Sequence, residues 1–378
     1  MADEQIHAVT MPKWGLSMTE GRVVDWQVEE GSPVQPGDEL LDVETDKIAG
    51  AVEATQAGVL RRRVARPDQL IPVQGLLGVI AAPEIDEAAI DAFAKRFEAE
   101  FVPEEPATEE APGYLTIEVA GRPLRYVAMG QGADAVLLVH GFGGDLDNWL
   151  FNHEPLASAC TVYALDLPGH GGSHKDVGEG NLEKLVAAVT GFMDAVDLSA
   201  AHLVGHSLGA AVVARLAAEQ PRRALSLALI APAGLGTKIN AGYIEGFVSS
   251  ATRRELKPHL QSLFADPSLV NRKLVDDVLK YKRLDGVTEA LQRIADAVFP
   301  GGTQRESVRD GLAQLAVPVL VIWGSQDQVI PAAHGEGLSK PIRVRILDGA
   351  GHMVQMEAAT EVNRLLTEQF EKPRGQGE

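Results

Sequence analysis

The sequence is poor in cysteine, has no long apolar run, and holds far fewer bases than acids: 34 Lys+Arg against 53 Asp+Glu, a net charge of −19 over 378 residues. Its single cysteine, Cys160, excludes an internal disulfide framework and an all-cysteine metal site, and it fits a reducing compartment. No stretch approaches the roughly 18 unbroken apolar residues of a membrane span. The longest runs, near 135–139 and 227–233, are strand-sized. The start, Met-Ala-Asp-Glu, lacks the charged and apolar regions of a secretory signal, so a soluble, cytoplasmic protein is expected. The acidic excess argues against nucleic acid and anionic membrane surfaces as partners. The length exceeds one typical domain, and the 45% apolar content supplies more than one core.

Charge is unevenly distributed. Residues 1–80 hold 13 acids and 7 bases, 81–112 hold 10 and 2, and 113–378 hold 30 and 25. The middle stretch also carries Pro83, Pro103, Pro106 and Pro112. Like-charge repulsion and proline stiffness both extend such a segment, so 81–112 reads as a linker. Within it Ile85, Ala89, Phe93 and Phe97 repeat every four residues, which predicts a short amphipathic helix resting on a neighbouring domain. Residues 1–80 read as all-β, with runs such as Arg22–Trp26 and Glu39–Val43 between Gly and Pro turns. Residues 113–378 alternate buried-strand runs with helical periodicity. The runs are Ala135–Val139, Thr161–Leu165, Ala201–Val204, Ser226–Ile230, Val319–Trp323 and Arg343–Leu347, and a helix is expected near Ala210–Gln220. That alternation implies a parallel sheet covered by helices. From about 236 to 305 amphipathic helices replace the strands, an insertion placed where a lid could sit.

The first chemical constellation is a lysine between two short strands, Glu44-Thr45-Asp46-Lys47. An exposed turn lysine means little alone. Its surroundings are ordered and dense: Met11-Pro12-Lys13, Glu20-Gly21, Glu30-Gly31, Gly37-Asp38, Gly58 and Gly75. Together these resemble a lipoyl domain, a flattened β-barrel, over about residues 5–80. The resemblance implies lipoate bound covalently at Lys47. Related biotinyl domains place methionines on both sides of their lysine, whereas Asp46 and Ile48 flank it here.

The second constellation is Gly205-His206-Ser207-Leu208-Gly209, between a strand and a small-residue helix. The glycines suit a sharp turn that presents the serine at the strand's carboxyl end. A serine hydroxyl needs a histidine base, and the histidine needs a carboxylate to fix its tautomer. Asp327 follows the strand Val319–Trp323, and His352 follows Arg343–Leu347, so both fall on loops at the same sheet edge. Asp348 competes with Asp327 but precedes His352 by only four residues. His206 reads as packed beside the serine, and His334 has no strand to place it at the edge. Leu208 N–H, just after the nucleophile, and Phe142 N–H, in His140-Gly141-Phe142-Gly143-Gly144, are the expected oxyanion donors. Asp166 and His170 read as structural; with His174 they leave a metal site as an alternative.

These motifs as a set resemble the α/β-hydrolase superfamily over residues 114–370, with the insertion as its helical cap. The cap stretch 234–310 holds 12 Lys/Arg against 10 Asp/Glu, which suits a solvated surface or an anionic cosubstrate site. The whole reads as a multi-domain chain: lipoyl domain 1–80, linker 81–112 and α/β-hydrolase domain 113–378. A lipoyl domain fused to an α/β-hydrolase resembles the dihydrolipoamide acetyltransferase family of acetoin dehydrogenase complexes. That resemblance implies a thiamine-diphosphate-dependent acetoin-cleaving enzyme and a dihydrolipoamide dehydrogenase as partners, CoA as cosubstrate, and a homo-oligomer. The usual acyltransferase motif His-x-x-x-Asp-Gly is missing, since Asp285-Gly, Asp310-Gly and Asp348-Gly lack the histidine. Nor is a peripheral-subunit-binding domain recognisable in 81–112. Acyl transfer would then fall to Ser207, Asp327 and His352. Two alternatives stand beside it: a hydrolase carrying a lipoyl arm, and a non-catalytic scaffold for that arm.

Overall fold

A computed structural model describes residues 6–14, 18–45, 49–101, 113–339 and 341–372. The chain forms two compact units, Met1–Pro112 and Gly113–Glu378.

In the first unit, Ile6–Thr10, Leu76–Ala81, Gly58–Arg63 and Pro33–Val34 make one antiparallel sheet, in that spatial order. Ala49–Glu53, Glu39–Glu44, Glu20–Trp26 and Leu70–Pro72 make the other. Side chains alternate across each strand, and one buried cluster takes Val9, Leu60 and Leu77 from the first sheet and Val23, Leu41 and Val43 from the second. A bulge between Val23 and Asp25 resets the alternation and turns Trp26 inward. There its Nε1–H donates to Ala65 O at 2.9 Å. The ladder between Glu39–Glu44 and Ala49–Glu53 ends at the pair Glu44–Ala49. Lys47 belongs to the four-residue connection that follows; Asp46, Lys47 and Ile48 lie outside the described residues.

The helix expected in the linker spans Glu87–Glu100 and packs on this unit. Asp86 caps it, accepting from Ala88 N at 2.7 Å. Ile90 is fully buried, in a cluster with Ile6, Leu76, Val79 and Ala81. Arg61 donates to the carbonyls of Ala82, Pro83 and Ile85 and pairs with Glu87 at 2.6 Å, while Arg62 reaches Asp91 at 2.6 Å.

The second unit is an eight-stranded sheet. Its parallel part runs, in space, Arg343–Leu347, Val319–Gly324, Ala224–Ile230, Ala201–His206, Ala135–Val139 and Thr161–Leu165. Arg122–Met129 and Leu115–Val119 extend it antiparallel. Parallel strands deliver their following loops to one edge, where such sheets build sites. The insertion folds into Ala241–Ser249, Arg253–Gln261, Arg272–Lys282 and Val287–Val298. Each helix start has a local cause. Asn240 and Asn271 cap two of them, Thr252 and Glu255 form a reciprocal capping box, and Gly286 takes φ 80° before the last. Among the described residues, no helix is long and apolar enough to cross a membrane.

Against the sheet lies the helix Leu150–Ala157, whose His153 is buried with both ring nitrogens unpartnered. Burial lowers its imidazole to about 4, against the pull of Asp147. A folded value below the unfolded one near 6.5 means that stability is lost as pH falls from about 6.5 towards 4. His153→Phe is therefore expected to remove about 2 kcal/mol of the difference in unfolding free energy between pH 7 and pH 5, measured by urea denaturation at both values. An unchanged difference would show that the folded ring takes up its proton normally.

Candidate active site

The strand Ala201–His206 passes into the helix Leu208–Glu219 through one residue, Ser207, held at φ 52°, ψ −115°. Such a left-handed conformation in a non-glycine residue costs on the order of 1–3 kcal/mol and has to be imposed by its surroundings. Here Ser207 N–H donates to Ile230 O at 2.9 Å, and its carbonyl accepts from Ala233 N at 3.0 Å. The glycines on either side are required by space. A Cβ on Gly205 would lie 2.4 Å from Gly209 O, and one on Gly209 would lie 2.2 Å from Val139 O.

Asp327 and His352 come together at the ends of neighbouring strands, with Asp327 Oδ2 2.8 Å from His352 Nδ1. Both side chains are essentially out of solvent, at 0% and 2% exposure. The carboxylate is saturated: Trp323 Nε1 donates to Oδ2 at 2.9 Å, and Val329 N and Ile330 N donate to Oδ1 at 2.8 and 2.9 Å. Burial alone would raise its pKa, but His352 and these backbone donors outweigh it and hold the carboxyl below its usual value. A carboxylate so placed fixes the Nδ1–H tautomer of His352 and leaves Nε2 as the basic nitrogen. Asp348, the competing acid, is exposed on its turn.

Ser207 and His352 face one partly open cleft. Phe142, Gly143 and Asn148 line it from the sheet side, and the cap adds Tyr243, Phe247, Leu263 and Phe264. Leu208 occupies the first helical position, where no carbonyl of its own helix can take its N–H. The Phe142 loop is held by two histidines. His170 Nε2 accepts Gly143 N–H at 3.1 Å, and His140 Nε2 accepts Leu167 N–H at 3.0 Å. Burial lowers both imidazoles, so each stays a neutral acceptor. Asp166 takes Leu146 N–H at 2.8 Å and Gly172 N–H at 2.6 Å and pairs with Arg125. These are supporting bonds, and among the described residues no three His, Cys, Asp or Glu side chains are grouped to hold a metal.

His206 is not placed as a base. Its Nε2–H donates to the backbone oxygen of His352 at 3.0 Å, and burial, reinforced by His352, lowers the ring to about 3. The sequence reading missed this support, Trp323 as a second donor to Asp327, and Glu357, which bonds the loop before His352. Trp323 had a local cue, standing four residues before Asp327 on a strand. Much of the basic excess of the cap is engaged internally. Arg253 pairs with Asp276 and Lys273 with Asp277, and buried Lys282 donates to the carbonyls of Phe247, Val248 and Ser250.

Comparison with known proteins adds the following. Residues 134–359 match the α/β hydrolase fold family, and residues 7–80 match the biotin/lipoyl family described as biotin-requiring enzyme. The dihydrolipoyllysine-residue acetyltransferase component of the acetoin cleaving system of Cupriavidus necator is 51% identical over 360 residues, covering 95% of this chain and 96% of that one. The protein of the same description from Pseudomonas putida is 52% identical over 362 residues, covering 95% and 97%. Among solved structures, a meta-cleavage product hydrolase from Pseudomonas fluorescens IP01 superposes with a TM-score of 0.62 at 25% identity, covering 68% of this chain and 97% of that one.

The two candidate acids separate in one experiment. Asn at 327 offers one acceptor oxygen to donors that now use two, so Asp327→Asn is expected to slow labelling of Ser207 by a fluorophosphonate probe at least about a hundredfold. Asp348→Asn is expected to leave the labelling rate unchanged. The reverse pattern would move the carboxylate of the site to Asp348.

Proposed function

The chain belongs to the family of dihydrolipoyllysine-residue acetyltransferase components of acetoin cleaving systems, and on that footing we propose that it moves acetyl from a lipoyl thioester to CoA through Ser207. The observation that carries this reading is the cap-covered cleft shared by Ser207 and the His352–Asp327 pair, in a chain that also supplies a lipoyl-type unit.

The carrier unit suits its group. Its hairpin ladder closes at Glu44–Ala49, and the connection beyond holds one amine, that of Lys47, to which a carboxylic acid can be joined as an amide. Lipoate attached there supplies a thiol able to hold acetyl as a thioester. The acidic stretch 81–112 links carrier and transferase domain. Within that stretch the helix Glu87–Glu100 is bound to the carrier unit. The other components of this reading are a thiamine-diphosphate-dependent acetoin-cleaving enzyme and a dihydrolipoamide dehydrogenase. Together they form a multienzyme assembly in the cytoplasm.

In the transferase domain, His352 Nε2 takes the Ser207 hydroxyl proton as Oγ attacks the thioester carbonyl. The N–H groups of Leu208 and Phe142 meet the developing oxyanion. The leaving thiol takes the proton back from His352, and acetyl stays on Ser207. The CoA thiol then gives its proton to His352 and attacks the acetyl-serine; Ser207 Oγ leaves, taking that proton from His352, and acetyl-CoA is released. Asp327 stays ionised throughout and stabilises the imidazolium in both halves. Water competes with CoA for the acetyl-serine, so the apolar cap wall of Leu263 and Phe264 favours transfer over hydrolysis.

Purified lipoylated protein is expected to form acetyl-CoA from acetyl-dihydrolipoamide and CoA, and Ser207→Ala to lower the rate by about 10³-fold or more. Lys47→Arg is expected to spare this assay with free donor and to abolish flux in the assembled system. Acetate in place of acetyl-CoA would mark a hydrolase, and full transfer by Ser207→Ala would remove the serine from the reaction.

A further inference from the structure

His352 is tied to two parts of the molecule that are distant in sequence. On the sheet side its carbonyl receives His206 Nε2–H at 3.0 Å. On the cap side its N–H donates to Leu263 O at 2.8 Å, and Met353 N–H donates to the same oxygen at 3.1 Å. The segment Leu263–Ala265 is thus at once a strap of the cap and the hydrogen-bond partner of the histidine loop. It is also the cleft wall, since Leu263 and Phe264 line the space that Ser207 and His352 share.

One side chain clamps strap to loop. Glu357 Oε1 accepts Ala265 N–H at 2.6 Å, and its Oε2 accepts Gly351 N–H at 2.8 Å. The two backbones approach so closely that a Cβ on Gly351 would lie 2.5 Å from Ala265 N. Glu357 is partly buried, on the short helix Val354–Glu357 that follows the loop. Each of its oxygens is committed to a residue adjoining a functional one: Gly351 precedes His352, and Ala265 follows Phe264.

We infer that Glu357 is a positioning residue that couples closure of the cap strap to the placement of His352. The inference rests on the serine-transfer reading and adds a control to it. With the clamp made, the strap seals the cleft and presents Leu263 O to His352. When the strap leaves, the histidine loop loses Leu263 O, and Glu357, which braces Gly351, loses its anchor at Ala265 N–H. The base is then in position only while water is shut out, the condition under which acetyl-serine survives to meet CoA. Glu357 touches neither substrate nor Ser207 in this scheme and acts entirely through the loop.

The test uses the full-length lipoylated protein with acetyl-dihydrolipoamide and saturating CoA, and it reads acetyl-CoA and acetate separately. Glu357→Gln keeps the size of the side chain but turns one acceptor into a donor facing an N–H, so one tie is lost. The expected result is a rise of about tenfold in the acetate to acetyl-CoA ratio, the scale of one charge-assisted hydrogen bond. Glu357→Asp, a shorter acid, is expected to fall between wild type and Glu357→Gln. A role in stability alone would lower both products in proportion to the unfolded fraction, leaving the ratio as in wild type. That result in a folded Glu357→Gln protein overturns the inference. Ser207→Ala run in parallel separates the two readings. Loss of transfer there with an unmoved ratio in Glu357→Gln sinks the clamp alone, whereas retained transfer in Ser207→Ala sinks both.

Discussion

The second unit depends on the close approach of the helix Leu208–Glu219 to two strands, Ala201–His206, which precedes it, and its neighbour Ala135–Val139. Gly205 and Gly209 permit that approach, with neighbouring backbone within 2.4 Å of where their Cβ atoms would stand. The reversal leaves Ser207 at a positive φ, its backbone bound to Ile230 and Ala233. Strain of this kind persists only where packing over-determines it. The same reversal sets Leu208 N–H at the start of a helix, where the partial positive charge of the dipole favours a developing oxyanion. In the proposed mechanism the nucleophile and one electrostatic stabiliser therefore come from a single turn, and the other loops are arranged around it.

That arrangement consists largely of backbone held by buried polar side chains. Neutral His170 and His140 accept N–H groups and shape the Phe142 loop; Asp327 collects backbone and indole donors as well as the imidazole. His206 and Leu263 grip opposite ends of the His352 residue. Each bond is modest alone, but leaving any of these buried groups unmatched costs on the order of 1–3 kcal/mol. The loops therefore have few alternative positions. Preorganisation of this sort suits a reaction in which the same histidine must serve two successive proton transfers and water must be refused between them.

Local pattern carried much of this. Continuous apolar runs marked the strands that are buried on both faces, from Ala135–Val139 to Val319–Gly324, because such strands need no alternation. The strands Leu115–Val119 and Arg122–Met129 escaped notice: they stand at the sheet's antiparallel end, mix exposed residues with few buried ones, and include Pro123. The glycine-flanked serine was legible because its chemistry requires a fixed spacing. Ranking Asp327 above Asp348 rested on which acid ends a strand and which lies too near the histidine in sequence. Glu357 carried no such cue. Its partner Ala265 lies 92 residues away, and only the fold brings the strap beneath it. The linker helix was visible as a four-residue period, whereas the Arg61 and Arg62 contacts that bind it are set by strand register.

The uneven acidity along the chain acquires a physical meaning in this account. The carrier unit keeps the charged helix Glu87–Glu100 on its own surface, and the residues after Phe101 add further acids before the second unit begins. The proposed function requires acetyl to pass through the serine site. The most direct measurement is intact-peptide mass spectrometry after rapid mixing of the protein with acetyl-dihydrolipoamide in the absence of CoA. The account predicts one acetyl group on the peptide containing Ser207, discharged when CoA is added. Acetyl-CoA formed at the full rate while that peptide stays unmodified at every time point would contradict it.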